Sequence, residues 1–240
     1  MRFMAIAKVT ALLAGLLICL FAISSLVLPL SSAARPAARQ AVCTDHLKQI
    51  SVALENYLQT HRCYPPPYLV DGSGEPMHSW RVLILKDLVP DVYNSYNFGE
   101  PWNGPNNSKL APKLASVFSC PNDPTNRNSD IMHTNYAVIT GPFTAFPKGK
   151  TTKFGDILGV HDETILVAEI ANSHIHWMEP RDLDSGGMSF ILNDTTQLSI
   201  SSEDPGGPGI VLVSGAVRRL RGSISSKVLG SMTRITGPPE

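Results

Sequence analysis

The first thirty residues contain the longest apolar stretch of the chain. No charged side chain occurs from Val9 to Leu30, a 22-residue stretch dominated by Leu, Ala, Ile, Val and Phe. As a helix, such a stretch can cross the hydrocarbon core of a bilayer, which is roughly 30 Å thick. We therefore predict a transmembrane helix over residues 9–30 that acts as a signal anchor, preceded by a short N-terminal segment at residues 1–8.

Basic residues on both sides of this stretch give only a weak signal for its orientation. Arg2 and Lys8 precede it, and two arginines follow it before residue 40. The balance favours a cytoplasmic N-terminus and a single-pass protein of the cell membrane with its globular part on the non-cytoplasmic side. Cleavage of a signal peptide near Ala33 is the alternative, because secreted precursors share the basic start, the apolar centre and the small residues that follow. The product would then be a secreted binding module.

Beyond residue 30 the pattern becomes amphipathic. Apolar residues recur at intervals of three and four positions: Leu47, Ile50, Leu54 and Tyr57. This spacing places them on one face of a helix, which we expect to pack against a globular core. We predict an amphipathic stem helix over residues 31–62 that ends before the prolines at 65–67, since proline lacks the amide donor that a continuing helix needs.

The remaining residues, 63–235, have the composition of one loop-rich globular domain. The chain contains 19 Pro and 18 Gly, most of them after residue 64, which indicates short elements joined by many turns. Residues 135–140 and 164–170 are rich in β-branched and apolar side chains and are predicted strands. Residues 80–85 form an apolar run that is too short to distinguish a strand from a buried helix.

Near the C-terminus, two apolar segments flank a tight-turn signal. Residues 209–213 and 216–220 lie on either side of Ser214-Gly215, which predicts a β-hairpin. Residues 236–240 are expected to form a flexible tail. Taken together, the patterns predict an α+β fold in which a long N-terminal helix, first transmembrane and then amphipathic, packs on an antiparallel β-sheet.

The overall charge argues against nucleic acid as a partner. Lys+Arg and Asp+Glu both number 20, so no net field would concentrate a polyanion near the surface. The expected partners are the lipid bilayer and either further copies of the chain or other envelope proteins. The sequence indicates no small-molecule substrate.

No catalytic motif is recognisable, and we predict that the protein is not an enzyme and needs no cofactor. The chain has no Gly-x-Ser-x-Gly elbow to present a nucleophile. His174, His176 and Glu179 form a conceivable metal group, but no further ligands follow at recognisable spacing, so we predict no metal site. His133 and His161 are isolated in the sequence and are expected to be surface or hydrogen-bonded residues.

Two weaker chemical readings remain open. The first is a minor structural calcium ion, for which the oxygen donors would be Asp182, Asp184, Asp194, Glu203 and Asp204, although no EF-hand spacing is present. The second is an envelope hydrolase without a visible motif, whose catalytic groups would come from His161, His174, His176 and the acidic residues.

Four cysteines add a structural question. Cys19 lies in the predicted transmembrane helix. The other three, Cys43, Cys63 and Cys120, lie in a part of the chain where a disulfide is permitted if that part is outside the cytoplasm. Three thiols allow three single pairings, and the residues alone leave the choice open.

The order of short segments between residues 28 and 221 resembles the DUF1559 family of bacterial proteins, whose members commonly begin with a type IV pilin-like helix. The segments that carry the resemblance are Leu28-Pro29, Ala33-Ala34-Arg35, Leu47-Lys48-Gln49-Ile50, Ser79-Trp80-Arg81-Val82-Leu83, Glu100-Pro101-Trp102, Cys120-Pro121, Thr134-Asn135-Tyr136, Gly141-Pro142, Thr164-Ile165-Leu166-Val167 and Trp177.

The resemblance implies a pilin-like fold and a noncatalytic role of the pseudopilin-like class, in protein interaction or surface assembly. Because Cys43 and Cys120 occupy positions that match the family, it also implies a disulfide between them. For the interaction itself, we expect the loop aromatics Trp102, Phe143 and Trp177 to be available to partners, with burial in the core as the competing reading.

Two departures from the family pattern limit the analogy. Pilin-like proteins carry a processing site with a glutamate in the first helical turns, whereas residues 1–14 contain no acidic residue. In pilins that glutamate can pair with the N-terminus of a neighbouring subunit and so set the register of the filament. This chain lacks that interaction. The C-terminal His and Asp-Gly of the family pattern are replaced by Asp204 and Ser214-Gly215.

Overall fold

The structure of the protein is a computed structural model. It describes residues 2–113, 116–127, 132–157, 161–222 and 224–235, without the side chains of residues 2–11 and 22–33. The chain forms two compact units, Met1–Arg39 and Gln40–Glu240. The predicted tail at residues 236–240 lies outside the described residues.

The chain begins with one long helix, α1, from Arg2 to His61. Within the described residues, no helix combines the length and the apolar character needed to cross a bilayer. The transmembrane helix predicted over residues 9–30 falls partly on side chains outside the described residues. The C-terminal end of α1 agrees with the predicted end of the stem to within one residue. Arg62 follows it with a positive φ of 63°, a common way for a helix to terminate.

The predicted apolar stripe on the second part of α1 is buried in the globular unit. Leu47, Ile50 and Leu54 are at most 1% exposed, and Tyr57 packs at the edge of the same core. Cys43 and Ala53 extend the stripe and are equally buried. The amphipathic period therefore correctly identified the face of the stem that is buried. We call the part of the globular unit that follows α1, from Arg62 onward, the head.

A small ribbon and three short helices follow α1. The strands β1 (Tyr68–Val70) and β2 (Pro76–Ser79) pair antiparallel. The helices are α2 (Trp80–Leu83), α3 (Leu85–Leu88) and α4 (Pro90–Ser95). The ambiguous run at residues 80–85 is thus helical, and it begins there because the Ser79 hydroxyl accepts a hydrogen bond from the Arg81 amide.

A five-stranded sheet forms the centre of the head, in the order β5-β3-β4-β6-β7. Its strands are β3 (Tyr136–Thr140), β4 (Ile165–Glu169), β5 (Leu183–Asp184), β6 (Gly209–Leu212) and β7 (Val217–Arg219). The two predicted strands and the predicted hairpin are confirmed, and Gly215 makes the hairpin turn with a φ of 81°.

The expectation of a purely antiparallel sheet was wrong at one edge. β5 pairs parallel with β3, while the pairs β3–β4, β4–β6 and β6–β7 are antiparallel. A parallel pair needs a long crossover connection, and here the chain passes through β4 and a loop region before it returns as β5. The strand has only two residues, too few to show a periodic pattern in the sequence.

Both faces of the sheet are buried. Tyr136, Val138, Val167 and Val211 belong to the core that contains the α1 stripe. Alternate residues on the other face, including Ile139 and Ile210, pack in a second core that includes Leu229 of the C-terminal helix α5 (Ser226–Met232). Because β3, β4 and β6 are covered on both sides, these three strands read as nearly continuous apolar runs, whereas the edge strand β7 is partly exposed.

Candidate functional site

A disulfide joins α1 to the head loop that precedes β3. Cys43 and Cys120 are bonded, with their Cα atoms 5.1 Å apart, and both are buried. This is the pair that the family resemblance implied. Cys19, which is exposed, and Cys63, which is half-buried, are free thiols.

The carboxylate of Glu169, at the end of β4, lies beside this disulfide. Its oxygens accept hydrogen bonds from the Ser202 hydroxyl at 2.8 Å and the Gly209 amide at 2.7 Å. Burial raises the pKa of Glu169, although these bonds and the nearby Arg219 oppose the increase. In the described part of the chain, Glu169 and the two bonded cysteines form the one group of three ligating side chains within 4.8 Å. Because the disulfide removes both thiolates, this group is not a metal site in the oxidised protein.

Asp204, where the family pattern has other residues, is a structural anchor. Its Oδ1 accepts a hydrogen bond from Gln40 Nε2 on α1 at 2.8 Å, and its Oδ2 accepts one from Asn122 Nδ2 at 2.7 Å. Arg219 Nη1 lies 3.8 Å from Oδ1. Both oxygens of Asp204 thus accept hydrogen bonds, and the residue connects α1 to two head loops.

A fully buried ion pair lies under the ribbon and α2. Arg81 Nη2 is 2.6 Å from Asp182 Oδ1, and the same oxygen accepts bonds from Trp80 Nε1 and the Val138 amide at 3.0 Å each. Burial raises the pKa of Asp182 to about 6 against the opposing effect of Arg81. Asp182 Oδ2 is buried and has no hydrogen-bond partner. Asp182 is therefore part of the core. The sequence analysis had listed it among the calcium candidates instead.

The other calcium candidates are engaged separately. Asp184 pairs with Lys148, and Asp194 Oδ1 accepts bonds from the amide and hydroxyl of Thr196 in its own turn. Glu203 accepts a bond from Asn172 Nδ2 at 3.1 Å. Among the described residues, these carboxylates form no common group of three ligands.

His133 lies beside two histidines that are distant from it in the sequence, His174 and His176, on one surface of the head. His133 and His176 face each other in an isolated antiparallel bridge. Backbone bonds from Thr134 to Ile175 and from Trp177 to Met132 flank the pair. Such a pair is a non-hydrogen-bonded one, in which side chains on the same face come closest. His133, which is isolated in the sequence, thus reaches the segment around residue 176 through a long-range backbone pairing.

His174 completes the group, which we call the histidine cluster (His133, His174 and His176). The rings of His133 and His174 are 5.2 Å apart at an interplanar angle of 81°. His174 has a φ of 49°, a left-handed conformation that is uncommon for residues other than glycine. The His133 Nδ1 atom is buried without a hydrogen-bond partner, whereas His176 Nδ1 accepts a bond from the Met178 amide at 3.2 Å.

Burial lowers the pKa of two members of the cluster, His133 and His176. Burial lowers the pKa of His133, and His174 lowers it further, while Asp123 raises it. Burial also lowers the pKa of His176, against the opposing effect of Glu179. Glu179 in turn pairs with Arg181 at 2.7 Å. Both rings therefore favour the neutral form at neutral pH.

Asp123 holds the loops beneath the cluster. Its Oδ2 accepts bonds from Asn135 Nδ2 at 2.6 Å and from the Asn172 amide at 3.0 Å. Its Oδ1 accepts two bonds from Thr125. Burial raises the pKa of Asp123, but these hydrogen bonds together outweigh burial and lower it below its ordinary value.

His161 lies elsewhere. Its Nε2 is 2.7 Å from the Ile157 carbonyl oxygen, and its ring packs on Phe154. The histidines considered for a hydrolase are thus only partly brought together. Among the hydrogen bonds of the described residues, none joins a histidine ring to the side chain of a serine, threonine or cysteine.

The three loop aromatics differ in their exposure. Trp177 is 0% exposed, donates to the Ala111 carbonyl and packs on Phe118, so its expected availability to partners was wrong: it is a core residue. Trp102 is half-buried and lies against His176 with ring centres 5.1 Å apart. Phe143 is 57% exposed with a positive φ of 65°.

Comparison with known protein families finds the same family that the order of short sequence segments resembles. The family described as a protein of unknown function (DUF1559) matches residues 32–196. No curated protein and no solved structure matches the chain. The match covers the stripe on α1, the disulfide, the buried Arg81–Asp182 pair and the histidine cluster, and stops before β6 and β7. Since it covers more than half of the sequence, the chain belongs to the DUF1559 family.

Proposed function

We propose that this protein is a noncatalytic, membrane-anchored protein of the bacterial cell envelope, of the pseudopilin-like class, whose head takes part in protein interaction or surface assembly. The observation that carries the proposal is the exposed apolar surface on the first part of α1. Leu12, Ile18 and Phe21 are 75%, 69% and 77% exposed, and the apolar residues between them are exposed as well. A continuous apolar surface of this kind favours burial in lipid or against another apolar helix.

The second part of α1 supports a role as a stem. Its apolar stripe is buried in the head, and Cys43 ties it covalently to the loop at Cys120. A helix that is apolar at its start and packed into a head further along is the arrangement expected of a pilin-like protein. The covalent tie would keep the head attached to its stem when a partner pulls on it.

The disulfide also supports a non-cytoplasmic head. Disulfides persist in oxidising compartments and are rare in the cytosol, where thiols are kept reduced. The orientation favoured by the basic residues at the N-terminus agrees with this location. A noncatalytic role is supported by the histidines considered for a hydrolase. His161 makes its contacts with Ile157 and Phe154, apart from His174 and His176, and among the described residues no histidine ring is hydrogen-bonded to a serine, threonine or cysteine side chain.

The topology can be tested with the free thiols of the chain itself. In a Cys19→Ser variant, Cys63 is the one cysteine outside the disulfide. We expect a membrane-impermeant maleimide to label it in intact spheroplasts. A variant that also carries Cys63→Ser is the control and should stay unlabelled. Labelling that occurs only after the membrane is permeabilised would place the head in the cytoplasm and overturn the proposal.

The anchor and the assembly need separate measurements. The mature protein should be found in the membrane fraction with its N-terminus intact, with or without Met1. A new start near Ala33 in the soluble fraction would replace the anchor with the secreted binding module. For assembly, oxidative crosslinking of Cys19 in native membranes should give a dimer that the Cys19→Ser variant lacks. A monomer alone would count against lateral packing of the helices.

A further inference from the structure

We propose that His133 and His174 form a reversible binding site for a divalent transition-metal ion such as Cu²⁺ or Zn²⁺ on the surface of the head. Imidazole nitrogens are ligands that suit both ions. The two residues are 41 positions apart in the sequence, and the backbone pairing of His133 with His176 brings them together.

The distance between the two rings fits a shared ion. Two imidazoles bound to one tetrahedral zinc ion at about 2.1 Å have ring centres about 5 Å apart. The ring centres of His133 and His174 are separated by 5.2 Å, and the rings are nearly perpendicular. The two ring centres therefore lie at the separation expected for imidazoles that share one metal ion.

The hydrogen bonding of the cluster distinguishes ligands from neighbours. His133 Nδ1 is buried without a partner, a position that calls for an ion, a water or another group to satisfy it. The ring of His174 is exposed and makes no hydrogen bond to the described residues. His176 Nδ1 instead accepts the Met178 amide, so a neutral His176 ring carries its proton on Nε2 and has no free lone pair to offer.

The backbone and the local charge agree with this assignment. His174 is held in a left-handed conformation, and backbone strain of this kind is often found at ligand-binding positions. Asp123 brings negative charge toward His133, while Glu179 and Arg181, which pair with each other, act on it in opposite directions. With two protein ligands, water would fill the remaining coordination positions, so the ion should exchange readily and the site is not a closed structural one.

The test is a calorimetric titration of the full-length protein in detergent, once with Cu²⁺ and once with Zn²⁺. We expect one ion per chain, with Cu²⁺ bound more tightly than Zn²⁺. His133→Asn and His174→Asn should each weaken binding about tenfold or more. Asn tolerates the left-handed conformation at position 174, so this variant removes the ligand without adding backbone strain.

Control variants and a spectroscopic signature separate a metal site from a packing role. His161→Asn, at the remote histidine, should leave binding unchanged, and His176→Asn should change it less than either ligand variant. Electron paramagnetic resonance of the Cu²⁺ form should show two coupled imidazole nitrogens in the wild type and one in each ligand variant. Wild-type affinity in the His133→Asn/His174→Asn double variant, or no binding by the wild type, would overturn the proposal.

Discussion

The disulfide should make a large contribution to the stability of the head, and its size follows from the loop that it closes. Cys43 and Cys120 are separated by 77 residues along the chain. The chain-entropy estimate for a loop of that length gives about 4.5 kcal/mol at 25 °C, because the cross-link removes conformations from the unfolded state. This is a large share of the 5–15 kcal/mol that is typical of whole domains, as an order of magnitude.

The measurement is urea unfolding of the full chain in a mild detergent, with tryptophan fluorescence as the signal. All three tryptophans lie in the head, at positions 80, 102 and 177. We expect the Cys43→Ala/Cys120→Ala variant to lose about 4–5 kcal/mol of unfolding free energy. Reduction of the wild type should cause nearly the same loss, since it breaks the bond and keeps both sulfur atoms in the core.

The matched control is Cys63→Ala, which removes a half-buried free thiol and should change the unfolding free energy by less than about 1 kcal/mol. Reductant should have no effect on the double variant. A loss below about 1 kcal/mol on removing the disulfide would refute the reasoning. It would mean that the unfolded chain already keeps the α1 segment close to the loop at Cys120, so that the cross-link removes little entropy.

Three further predictions use the same unfolding assay. Asp182→Ala should cost about 3–5 kcal/mol because it leaves a fully buried arginine without its counter-ion, and a cost near zero would contradict the buried ion pair. Gly207→Ala should cost at least about 1 kcal/mol more than Gly222→Ala. Both glycines have a positive φ, but only at Gly207 would a Cβ overlap a backbone carbonyl, so equal costs would refute the close approach. Asp123, whose pKa is lowered in the fold, should contribute stability above about pH 4 that is lost as the pH falls through its folded pKa. In Asp123→Asn this part of the pH dependence should disappear, and identical pH profiles in the two proteins would contradict it.

The functional proposals depend on different parts of the molecule, so they can fail separately. The proposal of a membrane anchor rests on the exposed apolar surface of α1. The metal site depends on two imidazoles of the head and is measured by titration, whichever fraction of the cell contains the protein. Loss of metal binding in the ligand variants with unchanged membrane association would support both proposals at once.

Local patterns predicted much of the fold correctly. The stripe of Leu47, Ile50 and Leu54 identified the buried face of α1, because helical period and burial are both read from residues three or four positions apart. The strands β3 and β4 and the β6–β7 hairpin were predicted for the same reason, since their signals lie within a few residues. The short helices after β2 and the two-residue strand β5 were not, because elements of two to six residues are too short for a period.

The candidate sites were harder to predict than the fold. His133 showed no signal of its own, and its proximity to His174 depends on a backbone bridge between segments that are distant along the chain. The sequence left two readings of Trp177 open, an exposed loop aromatic and a core residue. Its burial depends on Phe118 and on the carbonyl of Ala111, 66 positions away.

The sequence by itself determined the amphipathic stem, the main strands, the absence of a net charge and membership of the family, because each is set by composition or by neighbouring residues. Only the tertiary structure decided which groups meet. Arg81 finds Asp182 across 101 positions, and Gln40 finds Asp204 across 164. The sequence around a polar side chain does not show which residue it will pair with. The pairing is set when strands and helices pack, because a buried charge or hydrogen-bond donor must then be satisfied.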